Sequence, residues 1–284
     1  MTGTRGLSPM QPSRPELSPD RRWLVVVAHP DDETLGCGAL LSRLPCATVV
    51  HVTDGAPRHG GDARRHGFPD PAAYAAARWD EARSALDLAG VPAARHHGFG
   101  IADQGAAYRL VEITRRLLPD LAGADAVLTH AYEGGHPDHD AVCFAVHAAA
   151  KLAGSGVAGA IVEMPLYHAG PGGWIRQRFL PHPGAGPELS PAPSPAELDL
   201  KRRMAACHAS QAATLAGFAL DRELFRTAPP YDFGVLPNGG ALLCERHGWN
   251  LDGPRWLTLV RAAEGALGLE GRLVASAGRA GTAP

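Results

Sequence analysis

The chain has 284 residues, 45% of them hydrophobic, enough for one large α/β domain or two small packed ones. Its 27 basic residues stand against 29 acidic ones, a net charge of −2, which excludes the concentrated positive charge that nucleic acid or an anionic membrane surface demands. No stretch approaches the roughly 18 uninterrupted apolar residues of a membrane-crossing helix, and the N-terminus lacks an apolar signal-peptide core. The five cysteines are odd in number, far apart and free of any Cys-x-x-Cys pair, so they read as reduced, mostly buried thiols of a cytoplasmic protein.

Taken in order, Met1–Asp20 is rich in Pro, Ser, Thr and Arg and reads as a disordered tail, with the folded domain expected over residues 22–268. A buried strand is predicted at Trp23–Ala28 and a helix from about Asp32 to Leu44. A second strand, Ala47–Thr53, ends at the turn pair Asp54-Gly55, and a polar loop runs from Ala56 to Asp70. Pro71 and Gly90 bracket a helix as first-turn proline and C-terminal glycine. A short strand at Arg95–Phe99, a loop at Gly100–Gly105 and a helix at Ala106–Leu118 follow. Next come a strand at Ala126–Ala131, a helix at Asp138–Leu152 and a strand at Ala160–Tyr167. This alternation is the pattern of a Rossmann-like, doubly wound, mostly parallel α/β sheet.

Pro181–Pro195 holds six prolines in fifteen residues and is predicted as a linker. Ser194-Pro195-Ala196-Glu197 fits a capping box opening a long helix to about Leu215, and Lys201-Arg202-Arg203 reads as its solvated face. Asp221–His247 is expected to be irregular with one strand at Ala241–Glu245, then a helix at Pro254–Leu267 and a flexible tail, residues 269–284. No separate apolar core is visible in this C-terminal third, so it is expected to elaborate a single domain.

Two polar clusters stand out at strand ends. In His29-Pro30-Asp31-Asp32 the chain leaves a buried strand and enters a helix. His29 and Asp32, three apart, can meet on one side of a turn and suit zinc, leaving Asp31 to accept a proton. The alternative is that Asp31 or Asp32 only caps the helix. Gly36-x-Gly38 lacks the third glycine of a dinucleotide fingerprint, since Leu41 stands there, and is better suited to close helix–strand packing. Cys37 is expected to turn away from His29. The second cluster, Glu133-Gly134-Gly135-His136-Pro137-Asp138-His139, offers one histidine for a metal and one for the substrate, with Asp138 placed to hold an imidazole tautomer. In an open α/β sheet ligands bind at the carboxyl ends of strands, where both clusters fall.

Ala28-His29-Pro30-Asp31-Asp32-Glu33 together with Gly135-His136-Pro137-Asp138-His139 resembles the PIG-L/LmbE family of zinc-dependent de-N-acetylases. Val52-Thr53-Asp54-Gly55, Arg78-Trp79-Asp80-Glu81, Asp103, Lys201 and His208-Ala209-Ser210-Gln211 add to the resemblance, which covers roughly Trp23–Gln211. It implies one zinc ion per chain on His29, Asp32 and His139, with Asp31 as general base and His136 supporting the oxyanion or donating a proton. It also implies that Arg58, Asp103, Tyr132 and Glu133 surround the substrate. Arg64 and Arg65 are rivals of Arg58, and relatives carrying a tyrosine two residues before His136 differ from this chain, which has Gly134 there.

The expected function is hydrolytic removal of acetyl from an N-acetylglucosamine-type small molecule. A second reading is an amidase of a glucosamine thiol conjugate, and a third is a metal- or sugar-binding protein without turnover. Self-association into a homo-oligomer is compatible with all three.

Overall fold

The computed structural model describes residues 15–154, 161–271 and 273. Five consecutive buried residues, Trp23–Val27, form β1; a run apolar on both faces suits a central strand covered on both sides. There follow α1 (Asp32–Leu41), β2 (Thr48–Pro57), α2 (Gly61–Arg65), α3 (Pro71–Leu88), β3 (His96–Asp103), α4 (Leu110–Ala122), β4 (Ala126–His130) and α5 (Pro137–Ala153). After β5 (Ile161–Met164) come the hairpin strands β6 (Tyr167–Gly170) and β7 (Gly173–Arg176), then α6 (Pro195–Cys207) and α7 (Ala212–Leu215). The described chain closes with β8 (Arg226–Thr227), α8 (Leu243–His247) and α9 (Gly253–Leu267).

The main sheet has the order β3-β2-β1-β4-β5-β8; its neighbours are parallel except β8, which runs antiparallel to β5. Alternation along β1 feeds two cores. Leu24 and Val26 join the cluster that includes side chains of α4, α5 and α9, whereas Trp23, Val25 and Val27 join the one that includes side chains of α1, α3 and α6. Helices therefore cover both faces, and the sheet is doubly wound as expected. The strand order reverses between β1 and β4, paired in the register Trp23↔Ala126 to Val25↔Leu128. A crevice opens at such a reversal, beyond the carboxyl ends of the two strands. The two polar clusters leave the sheet at these ends.

Helix α1 is kinked at Cys37 (φ −146°, ψ 21°), which disrupts its ladder of backbone hydrogen bonds. The repair comes from far along the chain. Glu223 accepts from Ala39 N at 2.7 Å and Leu40 N at 3.0 Å. Lys201 of α6 donates to the Leu35 carbonyl at 2.8 Å and to Glu223 at 2.9 Å. Lys201 is thus fully buried rather than on the solvated face the sequence suggested. Gly36 permits the close packing expected of it, since a Cβ there would collide with Met164 of β5.

Several boundaries differ from the sequence reading. Strand five stops at Met164 because Pro165 cannot donate to a ladder; Tyr167 opens a separate hairpin instead. The expected loop after β2 holds α2, and β2 itself continues to Pro57. Ala241–Glu245 is not a strand: its apolar triplet Leu242-Leu243-Cys244 leads into α8, ended by Gly248 at φ +64°. A short apolar run cannot by itself separate strand from helix. The long helix from Ser194 has the capping box but breaks at His208, whose ring is buried and lies 3.0 Å from the Thr34 hydroxyl. Of the expected N-terminal tail, residues 1–14 lie outside the described residues; Leu17 packs on the core and the Ser18 carbonyl accepts from Trp23 Nε1. Of the other tail, Leu269 is buried, and residues 272 and 274–284 lie outside the described residues. No helix among the described residues is long and apolar enough to cross a membrane.

Lys201→Met should leave the Glu223 carboxylate buried without its cation and lower unfolding free energy by about 3–5 kcal/mol. Urea denaturation measures this, and the double variant Lys201→Met/Glu223→Gln should recover part of the loss.

Candidate active site

Between β1 and α1 the chain makes a turn in which Asp32 Oδ2 accepts from the His29 backbone N–H at 2.7 Å. Asp31 sits at φ 144°, ψ −23°, a conformation that costs an L-residue energy and persists only where the surroundings enforce it. Here they do. Arg78 of α3 donates to the Asp31 carboxylate at 2.9 Å, to the Pro30 carbonyl at 2.9 Å and to the Gly55 carbonyl at 2.5 Å. Glu33 Oε2 accepts from Asp31 N at 3.2 Å. Gly55 of the Val52-Thr53-Asp54-Gly55 stretch is required by this approach, because a Cβ there would collide with the Arg78 guanidinium. Asp31 makes no helix-capping hydrogen bond, so the capping alternative has no support in the geometry.

Asp32 points the other way, into a triangle of metal-competent atoms. His29 Nδ1 lies 3.2 Å from Asp32 Oδ2 and 3.2 Å from His139 Nε2, and the third side, His139 Nε2 to Asp32 Oδ2, is 3.4 Å. A tetrahedral zinc ion bound at about 2.0–2.1 Å holds its donors about 3.3 Å apart, so three corners of such a shell are in place. The outer nitrogen of His29 faces Asp138 Oδ2 at 3.3 Å. That carboxylate is itself fixed by the backbone N–H groups of Gln104 at 2.6 Å and Ala106 at 2.9 Å. A carboxylate behind a ligating imidazole sets its tautomer and raises its basicity. The imidazole that Asp138 faces is thus that of His29. The ring of His130 stacks flat on His139 at 4.2 Å, closing the floor.

His136 caps α5. Its Nδ1 accepts from Asp138 N at 3.2 Å, which leaves the proton on Nε2, 3.4 Å from Asp103 Oδ1. That oxygen is buried and has no hydrogen-bond partner. Burial, with the charge of His29 adding, pushes the His136 imidazole down to about 4, so it is a neutral N–H donor near pH 7. Burial likewise lowers His139 to about 3, the neutral form a metal ligand needs. Burial pushes the Asp31 carboxyl up to about 7; Arg78 opposes the rise and the neighbouring Asp32 charge adds to it. For Asp32 burial also acts upward, but His139 and His29 hold the carboxyl well below its usual range. Two adjacent aspartates thus have opposite proton affinities, set by which way each faces.

Residues 24–150 match the family model PIG-L, GlcNAc-PI de-N-acetylase. That segment is similar to the PIG-L family. Among curated proteins none matches the chain. Solved structures resemble it in fold. A teicoplanin-pathway deacetylase has 20% identity and a TM-score of 0.57, covering 72% of this chain and 96% of its own. The A40926 pseudoaglycone deacetylase has 22% identity and a TM-score of 0.56 over the same shares. A zinc-inhibited form of a teicoplanin deacetylase has 18% identity and a TM-score of 0.55, covering 72% and 97%.

Within the PIG-L segment the structure brings together His29, Asp31, Asp32, Asp103, His136, Asp138 and His139. It does not bring in Tyr132, whose hydroxyl accepts from Trp256 Nε1 at 2.7 Å and donates to the Val235 carbonyl at 3.1 Å in the core. Glu133 acts at one remove: its Oε1 accepts from Leu166 N and Tyr167 N, setting the Tyr167 ring 5.2 Å from His139. Arg58 is half exposed and bonded to Asp54 and the Ala56 carbonyl, while Arg65 pairs with Asp62 at the surface. Arg64 shows no contact with the cluster; its guanidinium lies by Gly60. The cation that does reach the site is Arg78, quoted in the sequence only as a mark of resemblance. Its signal was present, because Tyr74, Arg78, Ala82 and Ala85 share one buried helix face and Arg78 is the charge on it. Cys37 is buried and takes no part in the cluster.

His139→Ala should abolish tight binding of one divalent ion per chain, measured by elemental analysis after dialysis. Asp138→Ala should retain the ion with affinity lowered about 10–100-fold. Full occupancy in His139→Ala would remove that residue from the ligand set.

Proposed function

We propose that the chain is a metal-dependent hydrolase that removes acetyl from an N-acetylated glucosamine-type sugar. The observation that carries this reading is the triangle of His29 Nδ1, Asp32 Oδ2 and His139 Nε2, spaced for tetrahedral zinc and flanked by a strained aspartate and a neutral histidine. The PIG-L match supplies the amide and the sugar. A divalent ion bound there would act as a Lewis acid on the amide carbonyl and acidify a water.

The chain's own groups complete the chemistry. Asp31 accepts the proton of the attacking water, and its elevated proton affinity suits a base working near neutrality. Arg78 fixes the direction of that carboxylate and favours its ionised form. His136, neutral and protonated on Nε2, donates a hydrogen bond to the oxygen that gains charge as the carbonyl is attacked. Asp103, one oxygen unpaired beside both His29 and His136, is placed to accept a substrate hydroxyl or the amide N–H. The bulk of the acyl group is the point on which the thiol-conjugate amidase reading differs. Incubation of zinc-loaded protein with N-acetylglucosamine conjugates, with acetate and free amine both quantified, tests the proposal; a larger released acid identifies the amidase.

Asp31→Ala should retain the metal and lose about 10²–10⁴-fold in kcat. Turnover requires ionised Asp31, so the rate rises with pH through its titration, which a bound cation draws below the value of about 7. Removing the guanidinium in Arg78→Met disfavours the carboxylate, so that limb of kcat/KM should move to higher pH. A profile unchanged between about pH 5 and 9 would assign the base elsewhere.

His136→Ala should cut kcat by about 10²–10³-fold with KM and metal content nearly unchanged, the pattern of an interaction made in the transition state. Loss of the metal in that variant would instead make His136 a ligand.

A further inference from the structure

The chain has five tyrosines, and four of their hydroxyls are committed to the protein. Tyr74 accepts from Gln211 Nε2, Tyr108 donates to the Asn250 carbonyl, Tyr132 donates to the Val235 carbonyl and Tyr231 donates to the Glu163 carboxylate. Tyr167 is the exception. Its hydroxyl has no hydrogen-bond partner among the described residues, although its ring lies 5.2 Å from His139 of the metal triangle. A tyrosine hydroxyl drawn into a protein ordinarily finds a partner there.

The ring is fixed in place from several sides. Pro165 ends β5, and Glu133 Oε1 then accepts from Leu166 N at 2.9 Å and Tyr167 N at 3.0 Å. The loop that carries His136 and the first residue of β6 are therefore joined through one carboxylate. Gly135 brings the two segments closer still, since a Cβ there would lie 2.0 Å from the Tyr167 carbonyl oxygen. Trp174 of β7 stacks on the Tyr167 ring at 4.6 Å, and Phe218 meets its edge at 6.0 Å. Trp174 is held in turn, because its Nε1–H donates to His247 Nε2 at 3.0 Å. His247 stacks on Trp249, whose ring lies 4.7 Å from His136.

The hydroxyl end of the ring faces the centre. Burial raises its proton affinity well above that of an ordinary phenol, and the charges that add to the rise are Asp32, Asp103 and Asp31, then Glu133. Even an ordinary phenol keeps its proton near pH 7, so Tyr167 is a donor there.

We propose that Tyr167 is a catalytic residue whose hydroxyl donates a hydrogen bond to the substrate carbonyl oxygen as that oxygen gains negative charge. The inference rests on the deacetylase reading above and adds to His136 a second donor, contributed by the chain beyond residue 150. Once ionised, Asp31, Asp32 and Asp103 can only accept, so an oxygen that gains charge among them needs neutral donors already in position. Tyr167 meets that need, with its backbone clamped to the His136 loop, one ring face stacked and its O–H uncommitted. The proton stays on the phenol throughout: the hydrogen bond strengthens as the oxygen charges and relaxes when acetate leaves.

Tyr167→Phe removes the hydroxyl and keeps the ring, its stacking and its backbone anchors. In zinc-loaded protein, kcat for acetate release from N-acetylglucosamine conjugates should fall about 10²-fold, with KM, zinc content and the urea midpoint nearly unchanged. A kcat within about twofold of wild type overturns the donor and leaves the deacetylase reading standing. A fall in kcat matched by lost zinc or a lowered urea midpoint makes Tyr167 a structural residue and also overturns it. Calorimetry with acetohydroxamate, a small anionic analogue of the acetamide group, supplies a readout without turnover. Zinc-loaded Tyr167→Phe should bind it about tenfold more weakly than wild type, as one hydrogen bond to a charged oxygen supplies. Equal affinity overturns the proposal. Weaker binding by the variant, with no acetate released by wild-type protein, keeps the donor and sinks the deacetylase reading.

Discussion

Everything at this site depends on the parallel pairing of β1 with β4. Trp23 lies against Ala126 and Val25 against Leu128, so strands about a hundred residues apart in sequence end side by side. His29 follows one strand and His139 opens the helix after the other, and only this register puts their nitrogens 3.2 Å apart. A slip of one residue would exchange the side chains that β1 contributes to the two cores. All five residues of β1 are apolar and buried, so a shifted register would be resisted by packing shape, with the bulky Trp23 moved to the other core, rather than by polarity.

A site of this kind is electrostatically expensive, and the surroundings show how the expense is spread. Asp31, Asp32, Glu33, Arg78 and Asp138 are all buried. Each carboxylate has a different answer: a guanidinium for Asp31, imidazoles for Asp32, His51 and His208 for Glu33, backbone N–H groups for Asp138. Burial raises the Glu33 carboxyl, but its histidines hold it down to about 2. Behind it His51 Nδ1 meets His96 Nε2 at 2.9 Å, and His96 lies on Trp79. Deleting one partner here would strand a buried charge rather than remove one contact.

The alternating strand and helix pattern and the two polar clusters were legible because each rests on a local signal: apolar runs, proline and glycine boundaries, and polar residues where a strand ends. What could not be read is what depends on distance through space. Nothing near Lys201 reveals that its partner is Glu223, so a buried cation looked like a solvated helix face. Tyr132 sits two residues after β4, near enough in sequence to promise a role, yet its hydroxyl turns to Trp256, 124 positions away. Arg58 and Arg78 were both arginines near the second strand's products, and only the packing of α3 across Gly55 decides between them. The C-terminal third was harder still. Trp249 and Trp174 carry no spacing that points to the centre, and their place follows from a hairpin and a short helix whose contacts are all long-range.

The kink in α1 has a consequence for what a fragment of this chain can be. Residues 24–150 contain every candidate ligand and the proposed base, and on paper they look like a self-sufficient catalytic module. They do not contain Glu223 or Lys201. Without those two side chains the N–H groups of Ala39 and Leu40 and the carbonyl of Leu35 lose their partners inside a helix that is buried along its whole length. That helix begins with Asp32. The first-encountered part of the triangle is therefore stapled from behind by residues well over a hundred positions later, and its geometry becomes a property of the longer chain rather than of the segment that carries the motif.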